Sequence, residues 1–257
     1  MFRVTALILL LTVSSAMAFE YHHAEDPKSY VTRLRFNYNF TYQKTEIEAK
    51  ISQTVAFGTI LGWEIGFMGS ITIFIHPTDS FWGAYPVDNL IGYVGLYIEK
   101  TNFFDPNLNL LLYPISHEST HLVDGYDRGD IATDKVFDSN EYLGFDITYK
   151  LCSAALTSGM LFYIYPPNKT LDQMARPLLF RWHLAADYTL PLDGVTSLIA
   201  AMDFALFYEN RWHPAFNIGV GADFGKLHLL LHYEYQYGLG QDFRDLQQRF
   251  GLQMLVY

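Results

Sequence analysis

The stretch Tyr30-Val-Thr-Arg-Leu-Arg-Phe-Asn-Tyr-Asn-Phe-Thr-Tyr42 decides the fold. Tyr30, Thr32, Leu34, Phe36, Tyr38, Phe40 and Tyr42 fall on one face of an extended chain. Val31, Arg33, Arg35, Asn37, Asn39 and Thr41 fall on the other. Alternate residues of a strand point to opposite sides, so this segment has a greasy face and a hydrophilic one. Its apolar face is too aromatic for water. A strand apolar outside and polar inside is the unit of a membrane-spanning β-barrel.

The same period recurs along the chain. Residues 47–58 place Glu48, Lys50, Ser52 and Thr54 on one side, and residues 62–76 set Trp63, Ile65, Phe67, Ile71, Ile73 and Ile75 against Glu64, Ser70, Thr72 and His76. Residues 227–237 are as clean as the first segment, with three leucines and three tyrosines opposite His228, Leu230, His232, Glu234 and Gln236. Further segments are predicted at 87–99, 107–121, 140–151, 157–166, 178–190, 196–209, 213–224 and 247–257. The sum is twelve strands, an even number as such barrels have. The segment at 87–99 does not declare its inward face. Connections alternate in length. The loops at 77–86, 122–139, 167–177 and 238–246 are long, and the turns at 59–61, 100–106, 152–156, 191–195 and 225–226 are short. Short periplasmic turns and longer outer loops are the rule for these barrels. Two outer connections, 43–46 and 210–212, are short exceptions. A soluble β-sandwich is the rival architecture.

Composition fits the same class. Aromatics make up 17% of the 257 residues, with 19 Tyr and 20 Phe, enough for girdles at both membrane interfaces. The only cysteine is Cys152, so no internal disulfide can form. A net charge of −10 argues against nucleic acid as a partner. Residues 1–18 read as an export signal: Arg3, an apolar segment from 4 to 13, and Ala16-Met17-Ala18 before the cut. Residues 19–29 are a polar periplasmic lead-in, and 30–257 form the barrel. The expected location is a bacterial outer membrane. The expected partners are its lipids and its assembly machinery. Phe250, Leu252, Met254 and Val256 form the last lipid face, and the terminal Tyr257 falls outside that parity.

The inward positions carry both signs. Arg33, Arg35, Glu64, Arg181, Asp187, Asp203, Asp223 and Glu234, with Glu48 and Lys50, are expected to pair and fill the bore. An ion-selective pore would show one dominant sign.

The candidate chemistry lies in Leu110-Leu-Leu-Tyr-Pro-Ile-Ser-His-Glu-Ser-Thr-His-Leu-Val-Asp124, at the outer end of the fifth strand. His117, Ser119 and His121 share a face, and Asp124 follows. A histidine two residues from a serine can activate it, if a neighbour orients the imidazole. Asp124, Asn140 and Glu141 are within reach of that role. Leu108, Leu110 and Leu112 read as lipid-facing, which sends the row into the bore. Pro114 cannot donate to the ladder and invites a bulge, which would turn the row outward. The sequence leaves both faces open. A hydrogen-bonded cluster that anchors the following loop is the plainer reading. That loop holds Asp124, Asp127, Asp130, Asp134 and Asp138, oxygens of the kind calcium takes. Their spacing is not an EF-hand, so a solvated acidic loop is expected, and no metal or other cofactor.

The His117-x-Ser119 triplet resembles that of the outer-membrane phospholipase A and lipid A deacylase barrels. Both carry a His-x-Ser on a strand that faces lipid near the outer surface. Where they follow with Asn, this chain has Thr120. From about residue 80 onward the chain also resembles domain-of-unknown-function family 1207. The resemblance is carried by His117-x-Ser119-x-His121-Leu122 with Asp124, by Asn140-Glu141-Tyr142, and by Phe207-Tyr208-Glu209-Asn210-Arg211-Trp212-His213-Pro214. Gly221-Ala222-Asp223-Phe224-Gly225, Leu229-Leu230-Leu231-His232-Tyr233-Glu234-Tyr235 and Phe250-Gly251-Leu252 complete it. This resemblance implies an outer-membrane barrel and no particular activity. The function expected first is therefore a non-enzymatic barrel, structural or ligand-handling. A lipid hydrolase using Ser119 with His117 or His121 is the second expectation. A narrow uptake channel is the third.

Overall fold

The computed structural model describes residues 32–41, 43–75, 87–122, 137–164, 180–192, 196–208, 212–237 and 246–256. The expected signal, lead-in, Asp124 and Tyr257 lie outside them. Twelve antiparallel strands close on themselves. They are β1 (Thr32–Asn39), β2 (Lys44–Ile60), β3 (Trp63–Ile75), β4 (Val87–Lys100), β5 (Leu108–Leu122) and β6 (Phe137–Leu151), then β7 (Ala154–Tyr163), β8 (Phe180–Pro191), β9 (Ser197–Tyr208), β10 (Trp212–Asp223), β11 (Leu227–Tyr237) and β12 (Leu246–Val256). Each strand pairs with its neighbours in sequence, and β1 meets β12 from Thr32↔Val256 to Asn39↔Arg249. The rival sandwich is excluded, because no edge is left open. The β2–β3 turn is tight. Leu61 and Gly62 both have positive φ, 53° and 76°, which matches a two-residue hairpin turn to the twist of its strands.

The alternation read from the sequence is the alternation of the wall. Arg33, Arg35, Asn37 and Asn39 are buried inside, while Phe36, Tyr38 and Phe40 are exposed outside. Ile51, Val55, Phe67, Ile71, Val94, Leu231 and Leu252 continue the outer surface around the barrel. A belt of this size would not persist in water, and hydrocarbon is its natural solvent.

The bore is filled from two sides. On the β1–β2–β11–β12 side, Arg33 pairs with Glu48, and Arg35 reaches Glu48 at 3.2 Å and Glu234 at 3.8 Å. Arg249 joins Glu46 at 2.7 Å and Glu234 at 3.6 Å. Gln253 accepts from Arg35 at 2.5 Å, and the His232 Nε2 and Asn37 Oδ1 atoms are 2.8 Å apart. On the β3–β7 side the filling is apolar and phenolic: Met68, Tyr93, Tyr97, Leu111, Tyr113, Tyr142 and Leu161. Tyrosine suits this place because its ring packs and its hydroxyl finds a partner. Tyr97 donates to Glu64 at 2.8 Å, and Tyr113 donates to Asp146, which also lies 3.1 Å from His183. Asp223 sits 3.2 Å from His228. Asp187 is buried, and Arg181 and Asp203 occupy inward positions in phase with His183 and Ala205.

Candidate functional site

The face of the His117 row turns on one extra residue in β5. Below it, Leu108, Leu110 and Leu112 stand opposite Tyr149, Ile147 and Phe145 of β6. Leu111 and Tyr113 are buried in the bore. Then the register breaks. Tyr113 pairs with Gly144 and Ser116 with Tyr142, so two residues of β5 face one of β6. Against β4 the same happens between Leu112↔Ile98 and Ile115↔Leu96. The extra residue sits at Pro114 and Ile115, where proline's missing N–H deprives a regular ladder of a bond and favours a bulge.

Beyond the bulge the parity is reversed. Ser116 is only 1% exposed, inside, and Ile115 is 53% exposed, outside. His117 and Ser119 therefore stand on the lipid side toward the C-terminal end of β5. Their cross-strand partners are Val94 and Gly92 on β4, and Glu141 and Ser139 on β6. His121 pairs with Leu90 and Phe137 through its backbone; its side chain, like Asp124, lies outside the described residues.

Of the three orienters considered from sequence, the structure brings Glu141 to the row. Its Oε1 lies 3.9 Å from His117 Nδ1, with both side chains about half exposed. Asn140 pairs with Glu118, one position off the His117 rung. Gly92 adds no side chain beside the serine. A β-carbon built there would meet Ser119 Oγ at 3.4 Å, an ordinary contact, so the serine's β4 flank is open. A serine, a histidine and a carboxylate thus share one lipid-facing patch. His117 and Ser119 are two positions apart on the strand, about 7 Å, a span the imidazole can bridge. In unliganded sites such contacts are often long and tighten around substrate.

Deleting Pro114 tests this anatomy. With the extra residue gone, Ile115 alone separates Tyr113 from Ser116, and both halves of β5 keep their present faces. The barrel should fold with Ser119 still outward. Nitroxides placed at 117 and 119 should stay oxygen-accessible in vesicles; a shift to water accessibility would refute the bulge.

Glu46, Arg249 and Gln253 also line the bore, beyond the positions expected from sequence. Arg249 and Gln253 alternate with Phe250, Leu252 and Met254, the pattern that marks an inward face. Among the described residues, no group of three or more His, Cys, Asp or Glu side chains is placed to hold a metal.

Two solved structures show the same architecture across nearly the whole chain. Outer membrane phospholipase A from Escherichia coli aligns with a TM-score of 0.67 at 13% identity, over 93% of this chain and 95% of that one. The Salmonella typhi outer membrane phospholipase dimer with bound calcium aligns with a TM-score of 0.65 at 13% identity, over 96% and 97%. No protein-family model and no curated protein matches the chain, so the resemblance to family 1207 finds no support there. The fold, its apolar belt and these neighbours define the class: an integral β-barrel of the bacterial outer membrane.

Proposed function

We propose that this barrel is a serine-dependent acyl hydrolase of ester lipids in the outer leaflet. One observation carries the reading: the Pro114–Ile115 bulge puts His117 and Ser119 on the lipid side, with Glu141 across the ladder from His117. The sequence favours a non-enzymatic barrel, because a hydrogen-bonded cluster anchoring the following loop is the plainer reading of the row and the resemblance to family 1207 implies no activity. With the row outward, a burial role for it loses its footing. In the proposed reaction Ser119 Oγ bonds to the ester carbonyl carbon while His117 takes its proton. The ester C–O bond breaks, and His117 returns the proton to the departing alcohol. Water, activated by the same imidazole, then cleaves the acyl-serine and releases the fatty acid. Glu141 holds the imidazole in the required orientation and stabilises it when charged. The structural neighbours support this as analogy: they are phospholipases, and an asparagine-to-alanine change in the Escherichia coli enzyme is described as an active-site mutation. A carboxylate can serve a histidine as an amide does. The channel reading has less support, since ionic and phenolic side chains occupy the bore from both sides.

The test uses the full barrel in phospholipid vesicles. An alkyl fluorophosphonate should label it at Ser119, mapped by mass spectrometry, and untreated protein should release free fatty acid. Absence of both labelling and release would overturn the hydrolase and leave a structural role.

A further inference from the structure

The bulge raises a question of phase. The missing N–H of Pro114 disfavours a regular ladder there, but it does not by itself decide which residues beyond it face the bore. Had β5 run on without a bulge, Ile115 would stand opposite Tyr142, and His117 and Ser119 would point into the bore. A one-residue slip exchanges the two faces of a strand. Something must hold the outer half in its present phase.

We infer that the Ser116 and Tyr93 hydroxyls form that lock, and so act as positioning residues for the outward row. Ser116 is the first inward residue past the bulge, and its Oγ lies 3.0 Å from Tyr93 Oη. Tyr93 comes from β4 and is itself buried. Its ring stacks on that of Tyr142, with centroids 5.9 Å apart and planes at 25°. Tyr142 is Ser116's partner on β6 and the residue directly after Glu141. Tyr163 packs on Tyr142 from the far side, at 5.5 Å. The seat around Ser116 is closely fitted as well. A β-carbon at Gly95 would come within 2.7 Å of Ser116 Oγ and 2.8 Å of Tyr93 Oη. Three adjacent strands therefore interlock on the bore side, immediately behind His117 and Glu141. In the slipped phase Ile115 takes the serine's seat, and its alkyl chain gives no bond in place of the one between Ser116 and Tyr93. The slipped phase loses that buried hydrogen bond and turns the Ser116 hydroxyl toward hydrocarbon, so the pair favours the bulged phase over the slipped one.

The catalytic consequence rests on the hydrolase reading; the phase itself does not. The experiment reads both. Nitroxides are placed singly at 115, 117 and 119 in a Cys152→Ser background, and oxygen against water-soluble nickel-chelate accessibility is measured in vesicles. In the parent all three sites should favour oxygen. In Ser116→Ala with Tyr93→Phe the oxygen-to-nickel ratio at 117 and 119 should fall at least twofold. Without the labels, lipid-release kcat should fall about tenfold with KM little changed. Deleting Pro114 in the double variant should restore both readings, because an unbulged strand then places the row outward by itself. A merely structural pair would not be rescued by shortening the strand. If the double variant does not fold, Tyr93→Phe alone carries the test, since it removes one oxygen and keeps the stacked ring. Unchanged accessibility ratios would overturn the lock while leaving hydrolysis standing. A changed ratio in a parent that never releases lipid would uphold the lock and remove the hydrolase.

Discussion

A Ser119→Ala barrel should release fatty acid from vesicles at no more than about a thousandth of the parent rate. The parent's only proposed nucleophile is one oxygen, and its loss leaves His117 without a proton to take. Folding should not suffer. Ser119 is partly exposed toward lipid, and an alanine there is as compatible with hydrocarbon as the serine it replaces. Migration of the unheated barrel on a gel should therefore match the parent. The Glu141 series grades the same site. Glu141→Gln keeps an acceptor near Nδ1 and should stay within about tenfold of the parent. Glu141→Ala removes the acceptor and should lose about a hundredfold. Equal release from parent and Ser119→Ala would end the proposal, whatever Glu141 does. Equal release from parent and Glu141→Ala would leave the serine in place and remove its orienter.

The contrast between what the chain spells out and what it hides has a physical cause. Twelve strands were legible because a lipid-facing wall forces a period of two on every segment. Arg33, Arg35, Glu64 and Glu234 betrayed the bore, since they alternate with Leu34, Phe36, Trp63, Ile65, Tyr233 and Tyr235. The fifth strand resisted because its two halves obey opposite parities. Leu108 to Leu112 argue for one face and Ile115 for the other, and a bulge is one residue long. Pro114 signalled the break, but not which half the bore would claim. Strand β4 hid its parity for another reason. Tyr93 and Tyr97 point inward, while Val94, Leu96 and Ile98 point outward, and residues 90–98 carry no charge on either face. Tyrosine belongs equally in a phenolic core and an interfacial girdle, and sequence alone does not separate the two. Glu46 was missed because it was assigned to the connection before β2, whereas the strand begins at Lys44.

Replacing Glu48 by alanine should destabilise the barrel by about 3–5 kcal/mol, the cost of removing one partner from a buried ion pair. Six charged groups meet where the first and last strands close: Arg33, Arg35 and Arg249 against Glu46, Glu48 and Glu234. Three of each sign balance. Glu48 is the carboxylate shared by Arg33 and Arg35, and both guanidiniums are at least 95% buried. Its removal leaves three cations to two anions in a space water does not reach. Glu234 cannot compensate, being 3.8 Å from Arg35 and already engaged with Arg249. Urea unfolding from vesicles, followed by tryptophan fluorescence, should show the midpoint falling accordingly. Arg33→Met added to Glu48→Ala should then recover part of the loss, because it restores the balance and fills the space with an apolar chain. A seam held by packing alone would instead show two additive losses. Lipid release in the absence of urea should be untouched by either change. β12 and β1 lie on the opposite side of the ring from β5, so the closure of the barrel and the facing of Ser119 depend on separate sets of bore residues.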